Sequence, residues 1–170
     1  KERAELSKRQ RKLEKSEAMA QYQLEEIAQR CYSKYEIFKM QHQNDSALYY
    51  LELRASLDTM NVEWLMDAGE FASEYLADYD KAMKYFEDVL SNAIVQYGEI
   101  SCEVSYIYNK MGSIYSELSE YDVAMNFYNK ALDISESIYG TKSMECASIF
   151  SNIGILYHYL DNYEKALEYY

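Results

Sequence analysis

The sequence predicts an all-α chain, a solenoid of antiparallel helix pairs, about four in number with the last incomplete. Three observations predict it. Residues recur at a step of 42: Tyr79, Tyr121 and Tyr163; Ala82, Ala124 and Ala166; and Phe86, Tyr128 and Tyr170. Between these marks apolar residues fall at threes and fours, the helical period. The 170 residues hold no proline and only five glycines, too little turn chemistry for a β-sandwich. With 49% hydrophobic and 15% aromatic residues the chain is too apolar for disorder. It is long enough to bury roughly 70% of its unfolded surface.

The predicted helices span 22–41, 46–58, 61–76, 79–97, 101–118, 121–139, 143–160 and 163–170. Residues 1–21 contain no breaker and should run on into the first helix. Leu6, Leu13, Ala20 and Ile27 stand seven apart there. They form one heptad row whose companion row would hold Arg or Gln, which argues against a stable coiled coil. In 121–139, Val123, Phe127, Ala131, Ile134 and Ile138 define a broad apolar face. Ile107, Met111, Ile114 and Leu118 do the same in 101–118. The breaks Asn44-Asp45-Ser46, Ala77-Asp78, Ser119-Glu120 and Asp161-Asn162 each offer a cap or turn residue. Breaks this short make antiparallel neighbours.

The organisation that follows is a basic extension (1–21), a weak first unit (22–58), and units at 59–97, 98–139 and 140–170, the last cut short in its second helix. All five glycines keep phase. Gly69, Gly112 and Gly154 share one position, with one extra residue near Leu76-Ala77; Gly98 and Gly140 share another, each after a tyrosine. A glycine inside a helix costs about 1 kcal/mol relative to alanine, so Gly112 and Gly154 imply a close helix contact. The small Ala82, Ala124 and Ala166 are expected to supply its other side, with large rings filling the space beside it. The recurring Tyr79, Tyr121 and Tyr163 are read as packing residues.

Charge and composition narrow the function. Residues 1–17 carry seven bases and four acids, net +3, and the remainder is net −15. So acidic a body repels phosphate backbones, which excludes nucleic acid as a partner and favours basic ones. A mean hydropathy of −0.48 with no long apolar run excludes a membrane span. Cys31, Cys102 and Cys146 lack metal or disulfide spacing and are expected to be buried free thiols in a reducing, cytoplasmic setting. His42 and His158 form no metal motif, Ser113 and Ser116 have no nucleophile-elbow context, and every glycine is isolated. No metal, cofactor or enzymatic activity is expected.

The repeat resembles the tetratricopeptide repeat, a helix–turn–helix unit with the pattern W-x2-L-G-x2-Y…A-x3-F. The matching residues are Tyr108, Met111, Gly112, Tyr115, Ala124 and Tyr128 in the third unit. In the fourth they are Phe150, Ile153, Gly154, Tyr157, Ala166 and Tyr170. The second has Leu65, Ala68, Gly69, Ala82 and Phe86, with Ala72 where an aromatic would stand; the first has Ala47 and Leu51, with Tyr35 at the glycine position. No unit has the closing proline. The period of 42 and the Tyr-Gly turn resemble the extended-helix subclass of kinesin light chains and many bacterial signalling proteins.

The resemblance implies a right-handed superhelix whose first helices line a concave groove for a partner peptide or domain. Carried over residue by residue, the second unit would present Glu63, Met66, Glu70 and Ser73. The third would present Tyr106, Asn109, Ser113, Ser116 and Glu117. The fourth would present Ser148, Ser151, Asn152, Ile155, His158 and Tyr159. Asn152 matches an asparagine that holds the peptide backbone in the family; Lys110 stands there in the third unit. Glu63, Glu70 and Glu117 would favour a basic peptide. The expected function is therefore a protein-interaction scaffold within a longer multidomain protein. The alternative is an oligomerisation or regulatory segment packed on an effector domain of the same protein. Self-association would run through the N-terminal helix or the uncapped last helix, where Ala166, Leu167, Tyr169 and Tyr170 are expected to be partly exposed.

Overall fold

The computed structural model describes residues 2–170. Lys1, part of the predicted basic extension, lies outside them, as do the side chains of Glu2 and Ala4. Eight α-helices follow one another among the described residues: α1 (Glu2–Met40), α2 (Asn44–Leu57), α3 (Val62–Leu76), α4 (Tyr79–Tyr97), α5 (Cys102–Glu117), α6 (Tyr121–Tyr139), α7 (Met144–Tyr159) and α8 (Tyr163–Tyr169). They pair as α1/α2, α3/α4, α5/α6 and α7/α8, and the chain divides into a unit ending at Thr59 and a unit from Met60 to Tyr170.

Side-chain oxygens start most of these helices. Asn61, Asp78, Ser101, Ser143 and Asn162 each accept a hydrogen bond from the backbone N–H three residues on, satisfying a donor the helix itself leaves open. Glu120 precedes α6 without making such a bond, and α2 starts without one. The turn inside each pair holds one residue in the left-handed region: His42, Ala77, Ser119 and Asp161. The turns between pairs use Gly98 and Gly140 instead, at φ of 90° and 80°, a backbone that glycine adopts without steric penalty. The extra residue of the second repeat is taken up at the end of α3. Asp78 N–H reaches back six residues to Ala72, whereas Glu120 and Asn162 reach back five, to Tyr115 and Tyr157.

In the first unit α2 covers only the C-terminal half of α1. Ala28, Cys31 and Tyr35 are buried against Ala47, Leu48, Leu51 and Ala55, and the Arg54 guanidinium lies 4.6 Å from the Tyr32 ring centre. Burial pushes the Cys31 thiol above its usual pKa, with Arg54 acting in the opposite direction. The N-terminal half of α1 is exposed, and Leu6 and Leu13 each keep 59% of their surface in solvent.

In the second unit α5 packs on α4 and α7 on α6, so each pair buries its neighbour's face. Trp64, Phe71, Phe86, Val89, Ile107, Met111, Ile149, Ile153 and Leu156 form the core, and Ala82, Ala124 and Ala166 are buried within it. The partner of each helical glycine is a ring rather than these alanines. A Cβ on Gly69 would lie 2.9 Å from the Phe86 ring, on Gly112 2.7 Å from Tyr128, and on Gly154 2.8 Å from Tyr170. These aromatics lie four residues past the alanines, one turn further along the second helix. The alanines let the helices close; the ring then occupies the space the glycine leaves.

Two other expectations change. Cys102 is exposed, because it opens α5 at the pair junction, while Cys31 and Cys146 are buried. Tyr163 is exposed and Tyr121 half-buried, so that tyrosine column packs on the rim rather than in the core. Tyr121 stacks with Tyr159 at 6.1 Å, and Tyr163 meets His158 edge-on at 5.3 Å.

Gly112→Ala should destabilise the protein by about 1 kcal/mol, the overpacking penalty less the helix-propensity gain. A urea melt measures this. In a Tyr128→Leu background the same change should cost nothing; an equal cost there would refute the ring-in-notch account.

Candidate functional site

The first helices α3, α5 and α7 are tied to one another by side chains on one face. Tyr106 Oη donates to Glu70 Oε1 at 2.5 Å, and Lys110 Nζ lies 3.1 Å from both Glu70 Oε1 and Glu74 Oε1. Asn152 Nδ2 donates to Asn109 Oδ1 at 2.9 Å. Lys110 and Asn152 occupy the same repeat position. In successive helices, then, one position reaches back to the preceding first helix, by an ion pair in one case and an amide hydrogen bond in the other.

The electrostatics of the brace follow from its half-buried setting. Burial pulls the Lys110 ammonium down, but Glu70 first, then Tyr106 and Glu74, outweigh it and hold its pKa above the usual lysine range. Burial pushes the Tyr106 phenol up, and the bond to Glu70 adds to that. Below the same face Tyr128 is raised chiefly by burial, while hydrogen bonds with Ser113 and Ser116 lower it. Its phenol donates to Ser113 Oγ at 3.3 Å.

Two open clefts lie beside the braces, each where a second helix ends and the next first helix begins. One, of about 240 Å³, is lined by Glu63, Met66, Tyr97, Glu103 and Tyr106 among others. The other, of about 370 Å³, is lined by Glu103, Tyr106, Asn109, Tyr139, Glu145 and Ser148 among others. They are the same place in successive repeats. Tyr97 and Tyr139 differ by 42, as do Glu103 and Glu145, and as do Tyr106 and Ser148. Glu103 and Tyr106 belong to both. The floor of the larger cleft is polar but satisfied: buried Ser105 Oγ donates to the Ala131 carbonyl at 2.7 Å and lies 2.7 Å from Ser135 Oγ. At its rim the Tyr139 phenol is raised, first by its hydrogen bond with Cys102, then by burial, then by Glu145 and Glu103.

The predicted groove residues thus separate into groups. Glu63, Met66, Tyr106, Asn109 and Ser148 line the clefts. Glu70 and Asn152 are on the same face but already engaged in braces. Ser73 and Ser113 donate to carbonyls of their own helices, Glu70 and Asn109. Ser116 is buried at 8% exposure and turned toward Tyr128, because the helix rotates it onto α6. Glu117, Ser151 and Ile155 are exposed but line neither cleft. His158 and Tyr159 turn toward the rim rings at Tyr163 and Tyr121. Sequence reasoning passed over Tyr97, Tyr139, Glu103 and Glu145. Their signal was present in the step of 42, but Tyr97 and Tyr139 were read only as markers of the glycine turn.

Helix pairs in register, braced along their first helices and lined by clefts, define a helical-repeat architecture. Residues 103–170 match the model of the tetratricopeptide repeat family. No curated protein matches the chain. Among solved structures, BtubC (BKLC) from P. vanneervenii aligns with a TM-score of 0.65 and 20% identity, over 92% of this chain and 73% of that chain. MamA aligns with a TM-score of 0.59 and 17% identity, over 84% of this chain and 73% of that chain. These likenesses establish the shared fold. No helix among the described residues is long and apolar enough to cross a membrane.

The raised groups set an alkaline limit. Folded Tyr128 and Lys110 hold their protons more tightly than the unfolded chain, so their contributions are complete below the ordinary values of 10.0 and 10.5. They are lost as pH rises through the folded values. The melting temperature should therefore fall above about pH 10, and Tyr128→Phe should lessen that fall.

Proposed function

We propose that the chain is a non-enzymatic interaction module that holds a basic segment of a partner protein along the α3/α5/α7 face. The observation that carries this reading is the pair of repeat-equivalent clefts, both lined by carboxylates and tyrosines. The brace leaves the Asn109 amino group and the Asn152 carbonyl on the same face, a donor and an acceptor for a peptide backbone. Glu63, Met66, Tyr106, Asn109, Ser148 and Asn152 are the contact residues in this reading, with units at 59–97, 98–139 and 140–170 as its repeat boundaries. The serines speak for binding rather than catalysis: Ser73, Ser113 and Ser148 each donate to a carbonyl of their own helix. The free thiols Cys31, Cys102 and Cys146 fit a reducing cytoplasm.

A second reading, self-association or regulation through α1, is favoured by its exposed N-terminal half, where Leu6 and Leu13 find no neighbour to bury them. Light scattering on the intact chain and on a chain lacking 1–21 separates the two.

The test is fluorescence anisotropy with labelled decapeptides of net charge +4, 0 and −4. The basic peptide should bind, about tenfold more weakly at 0.5 M than at 0.05 M salt. Asn109→Ala with Asn152→Ala should weaken it about fivefold, the loss of roughly one or two hydrogen bonds. Equal binding of all three peptides would refute the reading, as would dissociation of a self-associated chain on removing 1–21 with no peptide bound.

A further inference from the structure

Resting on that reading, we infer that the two clefts are separate receptors for arginine side chains, so that the partner segment presents two arginines about three residues apart in polyproline II form. Each cleft is a concavity rather than a charged patch, closed on one side by a tyrosine at the end of a second helix, Tyr97 or Tyr139. Each sets carboxylates near that ring: Glu63 and Glu103 in one, Glu103 and Glu145 in the other. Among the described residues no lysine or arginine lines either cleft; the nearby Lys110 is drawn aside onto Glu70 and Glu74.

A planar guanidinium suits this combination better than an ammonium. It can stack on a tyrosine face while its N–H fork meets a carboxylate, two contacts that use different parts of the group. A carboxylate-bearing side chain would meet Glu103 in either cleft, and an aliphatic one would strand the carboxylates without gain.

The spacing follows from the repeat. Adjacent first helices linked by direct side-chain bonds lie about 8–10 Å apart, and a polyproline II segment advances about 3.1 Å per residue with every third side chain on the same face. One repeat therefore corresponds to about three residues. The peptide chain between the two arginines makes the second contact intramolecular, so the second arginine gains from the first by effective concentration.

The experiment titrates the full ¹⁵N-labelled chain with Ac-Arg-Ser-Gly-Arg-NH2, Ac-Arg-Ser-Gly-Ser-NH2 and Ac-Glu-Ser-Gly-Glu-NH2 at low salt. The two-arginine peptide should shift the amides of Tyr97, Glu103, Tyr106 and Tyr139 together. It should bind about tenfold more tightly than the one-arginine peptide, and the glutamate peptide should shift none of them. Glu103→Gln should weaken the two-arginine peptide about tenfold, the loss of a charge-assisted bond. Tyr139→Ala should abolish the shifts at Ser148 and Ile149 while keeping those at Met66. Unchanged melting temperature of Glu103→Gln, or of the equivalent Glu145→Gln, confirms that the fold is intact. Binding insensitive to Glu103→Gln, or equal for the one- and two-arginine peptides, overturns the arginine assignment. If such binding still shifts residues of α3, α5 and α7, the groove reading stands without it. If no peptide shifts that face, both fall.

Discussion

The second unit depends on one contact made three times: a ring of the second helix seated against a glycine of the first. Phe86, Tyr128 and Tyr170 face Gly69, Gly112 and Gly154 at separations no Cβ would tolerate. A glycine in mid-helix is a local cost, and at Gly69 and Gly112 the buried rings of Phe86 and Tyr128 offset it, while Tyr170 stays largely exposed. The seating fixes how far each pair closes and how its first helix is turned. That rotation directs Ser116 inward and leaves Glu63, Tyr106 and Asn109 on the clefted face. The first unit is built differently. Tyr35 stands at the glycine position and Leu51 at the ring position, both buried, so no glycine notch is present there.

From this packing follows a division of labour along each first helix. Positions toward the second helix carry the core. The position held by Lys110 and Asn152 ties neighbouring repeats together, and the residues nearer the N-terminus open into the clefts. The brace needs partners of matching chemistry in the preceding helix, and each repeat solves this separately: Glu70 and Glu74 for a lysine, Asn109 for an asparagine. Repeat architectures tolerate such local solutions because each unit contacts mainly its neighbours.

Acidic charge acquires a position through the same geometry. A net charge of −15 after residue 17 describes solubility and partner sign, but not a site. The fold divides the carboxylates into those spent internally, such as Glu70 on Lys110 and Tyr106, and those beside the tyrosines at the pair junctions. Glu103 sits in the first turn of α5, where the helix dipole already favours a carboxylate, and the Tyr97-Gly98 turn brings a ring to the same junction.

The sequence by itself determined the helices, their pairing and the phase of the repeat, because these are short-range and periodic. Apolar spacing defines a helix, a capping residue starts it, and a glycine at positive φ ends it. It also identified both members of the ring–glycine contact, though not that they were partners: the alanines, being small, seemed the natural counterpart. Only the tertiary structure decided that a ring fills the notch, because complementarity there is of volume rather than of like size. Only it decided which predicted groove residues remain available. Glu70 and Asn152 are polar and face outward in any helical projection, yet each finds its partner 36 to 43 residues away in a neighbouring first helix, a distance no local pattern encodes. The clefts belong to the same class. Their walls come from three helices, and Tyr97, Glu103 and Tyr106 become neighbours only when one helix pair stacks upon the next.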